Sequence, residues 1–371
     1  MSVLYFSHQV KEHLKKEPEE LKMKKLTAIL ASVLLLSSLS VFAHAEENII
    51  ELDPMYNVPT EELLERFPIE YETPAETEMA KKIQNRMLNG FNTWNLGYDA
   101  WEHWGEVLYS EDSIYNVHGA HLTLKEYQDA MNMSLQATDI QMGQFRNMIL
   151  SDDWAAIRYD TSMTNRQTGE TSYSPVTEFV RFKDFGESGA KVDEGWGGVR
   201  DFNLQGMMYF MTEEEQAYQK QLDDAILNIV LPETDDLEVK YPVTYPTEIS
   251  TDMAKEIKSA VLQEFEAWNN GTWSDWADQY CTADIEYSLG NTEMTVEEAK
   301  TAVSRMISDL NVQRVRLDNL IVSEDWAGIH YWNVISDEDG VRTPMDTMTF
   351  MHFVDTDEGI KVDICSVYQG F

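Results

Sequence analysis

The sequence predicts an α+β fold built twice, each copy a cone in which helices close one side of a long, curved sheet. Three observations carry this. The phrase Ser151-Asp152-Asp153-Trp154-Ala155-Ala156-Ile157-Arg158-Tyr159 returns as Ser323-Glu324-Asp325-Trp326-Ala327-Gly328-Ile329-His330-Tyr331, with six of nine positions identical and an offset of 172 residues, a domain-sized period. Thr123-Leu124-Lys125-Glu126 and Thr295-Val296-Glu297-Glu298 place the same Thr-x-x-Glu helix start at the same point of each copy. In both copies the helical periodicity comes first and the strand alternation after it.

The elements follow in order. Met79, Ile83, Met87, Phe91 and Trp94 fall at three- and four-residue steps, which puts one apolar stripe on the core of a helix that Gly97 ends. Trp101, Trp104 and Leu108 share one side of a second, shorter helix, and a strand follows near 113–117. A third helix opens at the Thr123 cap. Strand alternation then runs over 140–150, 154–164, 173–182 and 191–204, broken by turn signals at Gln167-Thr168-Gly169 and at 186–189. The match between copies extends outward: Met79-Ala80-Lys81 recurs as Met253-Ala254-Lys255, Trp94-Asn95 as Trp268-Asn269, and Lys191-Val192-Asp193 as Lys361-Val362-Asp363. The copies are expected at 77–210 and 251–371. Residues 211–250 join them through a helix carrying Tyr218, Leu222, Ile226 and Leu227 and a stretch made extended by Pro232, Pro242 and Pro246.

Residues 1–45 read as an export signal: Met23-Lys24-Lys25 is a basic start, 26–41 an apolar run, and Ala43-His44-Ala45 a small-residue cleavage signal. Met23 is the expected true start, and the expected location is periplasmic or secreted. Residues 46–76, with Pro54, Pro59, Pro68 and Pro74 among acidic side chains, read as an extended N-terminal arm with a short amphipathic stretch at 61–67. Removing 1–45 takes away six basic and four acidic side chains from the 28 and 66 of the whole chain and leaves 22 against 62, a net charge of −40. Such a surface repels polyanions, which argues against nucleic-acid or anionic-membrane partners. The 43% hydrophobic content, with 10 Trp, 17 Tyr and 14 Phe, excludes a disordered chain. The two cysteines, Cys281 and Cys365, leave one disulfide or two free thiols open, and a Cys-based zinc site is excluded by their spacing.

With Trp94-Asn95, the capped helix at Thr123, Ser151 to Arg158, and the closing Lys191-Val192-Asp193-Glu194-Gly195-Trp196 with Asp201 beyond it, the first copy resembles the SnoaL-like branch of the nuclear transport factor 2 superfamily. The resemblance covers both copies. It implies three helices packed on a curved antiparallel or mixed sheet, and sheets that pair face to face, either between the two copies or in a homodimer. It also implies an aromatic pocket for a small, largely apolar or carbonyl-bearing ligand, and activities that range from cyclases, isomerases and epoxide hydrolases to proteins with no catalysis.

Candidate chemistry is read from the strands. Arg158 and Asp160, two apart, leave one face, and if it lines the cone they share a pocket with Glu178 and Glu194, suited to proton abstraction beside a carbonyl or to water activation. The alternative is a salt bridge on a solvent face. His118 and His121 sit at the expected pocket mouth, His118 being the candidate acid or base. Trp94, Trp101, Trp104, Tyr115 and Trp196, with Glu178, are the candidate ligand contacts, although Trp at helical spacing also serves as core. No cofactor or metal is implied. In the second copy Arg158 becomes His330, Asp160 Trp332, Glu194 Ile364 and Trp196 Ser366, so the framework is kept while the polar set is not. The first copy is therefore the expected working site, and a non-catalytic scaffold formed by the two paired copies is the alternative.

Overall fold

The computed structural model describes residues 57–117, 120–185, 190–199, 213–290, 292–337 and 339–369. The export signal and the Met23 start lie outside these residues, as do His118 and the start of the linking helix.

The first copy runs α1 (Thr60–Arg66), β1 (Ile69–Glu72), α2 (Glu78–Leu96), α3 (Tyr98–Leu108), β2 (Tyr109–Val117), β3 (Ala120–Thr123), α4 (Leu124–Ala137), β4 (Thr138–Ser151), β5 (Trp154–Asn165), β6 (Thr171–Asp184) and β7 (Ala190–Val199). The link carries α5 (Glu213–Leu227). The second copy repeats the order with α6 (Leu237–Lys240), β8 (Val243–Tyr245), α7 (Asp252–Asn269), α8 (Trp273–Tyr280), β9 (Cys281–Leu289), β10 (Thr292–Met294), α9 (Val296–Asp309), β11 (Gln313–Ser323), β12 (Trp326–Ser336), β13 (Arg342–Thr356) and β14 (Gly359–Gln369).

Each copy holds one seven-stranded mixed sheet, ordered β1-β4-β5-β6-β7-β2-β3 and, in mirror listing, β10-β9-β14-β13-β12-β11-β8. The long central strands pair antiparallel, whereas β1 on β4, β7 on β2, β8 on β11 and β14 on β9 are parallel. Two of the helix starts are those the sequence marks. Thr123 and Thr295 both form complete capping boxes with Glu126 and Glu298, and Thr77 and Thr251 accept from Ala80 and Ala254 N–H. Gly97, at φ 127°, a conformation open to a residue without a Cβ, ends α2.

The segment read as an extended arm is different in the structure. Residues 60–72 form α1 and the edge strand β1, and the Thr73 hydroxyl donates to the Met148 carbonyl at 2.6 Å. Thr247 does the same to Leu320 at 2.9 Å, after the matching strand β8. Prolines flank these strands rather than interrupt their pairing, which is why a proline-rich composition still allows an edge strand.

One face of each sheet holds its own helices. In the first copy Ile157, Tyr159, Phe145 and Val180 pack with Ile83, Met87 and Phe91 of α2. The opposite faces meet each other: Ile149, Trp154, Ala156, Phe179 and Trp196 form one core with Ile321, Trp326, Met348 and Phe350. The repeated phrase supplies the centre of this contact. A Cβ on Gly328 would lie 2.5 Å from that of Ala156, so the two sheets approach here as closely as Ala against Gly allows. Helix α5 spans both copies: Tyr218 meets His121 at 3.3 Å, and Ile226 packs on Val315 and Val334. Cys281 and Cys365 are free thiols, and burial pushes Cys281 up to about 12 and Cys365 well above the ordinary thiol range.

Candidate functional site

Strand periodicity decides the site. On β5, Ile157, Tyr159 and Thr161 turn towards the helices, and Ala156, Arg158 and Asp160 turn away. Inside the first cone lie two adjoining lobes of about 50 and about 60 Å³, which share Trp94, Tyr115, Tyr127, Met142, Tyr159 and Glu178 in their walls. Trp101 and Trp104 complete one lobe, and Thr161, Met131 and Gly197 the other.

Among the described residues Glu178 is the one carboxylate in these walls. The Tyr159 hydroxyl donates to its Oε1 at 2.7 Å. Burial raises the pKa of Glu178, and the hydrogen bonds from Tyr159 and Tyr115 pull it back in part. Burial also pushes the phenols of Tyr115, Tyr127 and Tyr159 well above their ordinary range, so each stays a hydrogen-bond donor. Tyr115 stacks on Tyr127 with ring centroids 4.5 Å apart. It lies flat across β7 because Gly195 and Gly197 are there. A Cβ at 195 would enter the Tyr115 ring, and one at 197 would come within 3.2 Å of it. Gly90 likewise makes room for Trp104, whose ring would be 2.8 Å from a Cβ at that position. Trp94 is fixed by Nε1 donating to the Ile140 carbonyl at 2.8 Å and meets Trp101 edge-on at 4.8 Å. Trp104 Nε1 is buried with no acceptor among the described residues, which leaves a donor in the wall of the cavity.

The polar set expected in this cavity is elsewhere. Arg158 and Asp160 do leave a common face, but it is the face turned to the second copy. Arg158 donates to Ser366 Oγ of that copy and lies about 6.0 Å from the Tyr71 ring centroid and 5.9 Å from that of Phe350. Asp160 takes Arg146 at 2.9 Å, and Arg146 also pairs with Glu70. Glu194 pairs with Arg181 at 3.0 Å, beside the Arg181–Asp193 pair, and Trp196 stacks on Trp154 in the inter-sheet core. Alternation fixes which residues share a face. It cannot say which face the helices cover, and that placed Arg158, Asp160, Glu194 and Trp196 outside the cone. Trp94, Trp101, Trp104, Tyr115 and Glu178 do line the cavity. Tyr159, Tyr127 and the glycines were not singled out in the sequence. Tyr159 was legible as the residue between Arg158 and Asp160, retained as Tyr331 in the repeat.

The second cone has the same frame and another interior. Asn95 donates to the Met142 carbonyl and accepts from its N–H at 2.9 and 2.8 Å, and Asn269 does the same with Arg314 at 2.9 Å each. Arg314 therefore stands where Met142 does, and Glu264 where Gly90 does. The Arg314 guanidinium grips both oxygens of Glu264, with Nη2 to Oε1 at 2.8 Å, under the rings of Trp268, Tyr331 and Phe265 at 4.4, 4.6 and 4.8 Å. Trp273 Nε1 also donates to Glu264, at 2.9 Å. By strand register Glu178 becomes Thr349, Gly195 Cys365 and Gly197 Val367.

No family model matches the sequence, and no curated protein matches it. Among solved structures the chain is similar to a ketosteroid isomerase-like protein from Erwinia carotovora atroseptica SCRI1043, with TM-score 0.27 and 16% identity over 34% of this chain and 98% of that one. It is also similar to a protein from Jannaschia sp. CCS1 assigned as a SnoaL-like polyketide cyclase, with TM-score 0.29 and 13% identity over 33% and 90%. An LEH-like epoxide hydrolase of M. tuberculosis matches with TM-score 0.27 and 14% identity over 31% and 83%. Each match spans about one third of the chain. The architecture itself is two mixed seven-stranded sheets, each with its own helices.

Proposed function

We propose that the first cone is the working site of an exported protein and binds a small, largely apolar, carbonyl-bearing ligand. The observation that carries this reading is Glu178: a buried carboxylate with a raised pKa, held by phenols in an aromatic cavity. Among the described residues Glu178 has no cationic partner, and burying such a carboxylate is unfavourable for folding, so its presence calls for a role other than packing. The volumes set the size of the ligand. Lobes of about 50 and about 60 Å³ hold a handful of water-sized atoms and fall well short of the ~300–1,000 Å³ typical of pockets for larger molecules. A monocyclic ketone suits them better than a polycyclic one.

In this reading a ligand carbonyl oxygen accepts from Trp104 Nε1 or a tyrosine hydroxyl. Glu178 then takes a proton from the adjacent carbon, the electron pair of that C–H bond moves to the carbonyl as an enolate, and the proton returns from Glu178 to carbon. The second copy, its interior taken by the Arg314–Glu264 pair, serves as the structural partner.

The test uses the full chain with cyclohexanone and cyclopentenone as probes. Trp fluorescence reads binding, and proton-to-deuteron exchange at the carbon beside the carbonyl reads chemistry. Gly197→Val, which copies the residue of the second cone, should abolish binding by filling the cavity. Glu178→Gln should keep binding and lose exchange. Binding that survives Gly197→Val unchanged would place the ligand outside the cone and overturn the reading.

A further inference from the structure

The two copies enclose a second site. Between them lies an open cleft of about 1160 Å³, with Arg158 at its floor beside Ser366 and Tyr71, and walls from β6 of the first copy and β9 of the second. Arg158 is 7% exposed and donates to the Ser366 hydroxyl, its Nε is buried without an acceptor, and among the described residues it has no ion-pair partner. A guanidinium that deep normally has a carboxylate on it. Three of the carboxylates that line the cleft are committed elsewhere, Asp160 and Glu70 to Arg146 and Glu298 to its helix cap. The remaining acidic side chains, Asp284, Glu286 and Glu293, line the cleft from β9 and β10 of the second copy, and among the described residues none of the three has an ion-pair partner.

We propose that this cleft binds a zwitterion carrying a carboxylate and a separate cationic amine, the chemistry of a basic amino acid or the C-terminal end of a short basic peptide. The carboxylate pairs with Arg158 at the floor, where a fork of N–H donors matches two oxygens. The amine meets Asp284, Glu286 and Glu293. A simple anion is disfavoured by that acidic wall and by the charge of the whole chain, −38, and a simple cation leaves Arg158 unmatched. The site depends on both copies, since Arg158 belongs to one and the acidic wall to the other, and it is independent of the cone.

Calorimetric titration of the full chain separates the possibilities. The probes are L-lysine, the dipeptide Lys-Lys, its C-terminal amide, and cadaverine, which has the amines and no carboxylate. Lys-Lys should bind, and amidation should weaken it about tenfold or more, the loss of one charge-assisted pair. L-Lysine binding as tightly as Lys-Lys assigns the site to a free amino acid, and weaker binding assigns it to a peptide end. Glu286→Gln, at the exposed wall, should weaken Lys-Lys, and Arg158→Gln should make the acid and the amide bind alike. Since Arg158→Gln disturbs a buried contact, the amide comparison on the unaltered protein is the deciding measurement. Equal binding of acid and amide, equal binding of cadaverine, or binding of neither Lys-Lys nor L-lysine would each overturn the proposal.

Discussion

The two cones share a frame to the level of single hydrogen bonds, and they differ in what fills it. In the first, Gly90, Gly195 and Gly197 withdraw side chains from the interior, and the space left is lined by Glu178 and seven Trp and Tyr side chains, all from the first copy. In the second, Glu264, Cys365 and Val367 occupy those positions and Arg314 replaces Met142. A cavity and a buried ion pair are two solutions to the same enclosed volume. The lesson is that glycine in strand and helix interiors, which is unfavourable for both elements, marks the copy whose interior is kept open.

The largest effect should come from breaking the second solution. Glu264→Ala strands Arg314 in the core, since both side chains are only 4% exposed, and should cost about 3–5 kcal/mol in denaturant unfolding. Replacing both, Glu264→Gly with Arg314→Met, rebuilds the first interior and should cost markedly less than the single change. A double variant no more stable than the single would show that the two interiors are not interchangeable.

Next comes the pair on the faces where the two sheets meet, where Arg158 of one copy corresponds to His330 of the other. Burial depresses His330 to about 4 and raises Asp346, 4.0 Å away, to about 6. A depressed base destabilises the fold as pH falls from about 6.5 to about 4. A raised acid does the opposite, and stability is lost as pH rises from about 3.8 to about 6. The two oppose each other over most of this range. Asp346→Asn should therefore leave the His330 dependence alone, with stability at pH 6.5 above that at pH 4 by roughly 3 kcal/mol, and a pH series of urea melts reads it directly. A flat profile in that variant would mean that His330 is not held neutral.

A smaller effect is expected at Gly195. Gly195→Cys, which copies Cys365, forces Tyr115 off β7 and should cost about 1–3 kcal/mol, with loss of ketone binding. The smallest is Glu178→Gln. The raised pKa of Glu178 means that the wild-type protein loses stability as pH rises above the ordinary carboxylate range, so the variant should be equal or slightly more stable at neutral pH and less dependent on pH there. A clear destabilisation by Glu178→Gln at pH 7 would make Glu178 a structural group.

Much of this was legible in the sequence because it rests on local periodicity. Thr123 with Glu126 and Thr295 with Glu298 declare their helices, Gly97 ends one, and the repeated phrase fixes the two-copy plan and the shared face of Arg158 and Asp160. These features follow from hydrogen bonds and side-chain directions within a few residues of each other. The tertiary structure alone decided which face of β5 the helices cover, and so sent Tyr159 and Glu178 into the cone and Arg158 to the second copy. It also decided that residues 69–72 are an edge strand, and that Gly90 and Gly195, far apart in the chain, clear one cavity. The physical reason is that a strand of period two presents two faces, and both are buried here. Hydrophobicity then no longer separates inside from outside, and only the packing of one sheet on its helices and on the other sheet assigns each face its role.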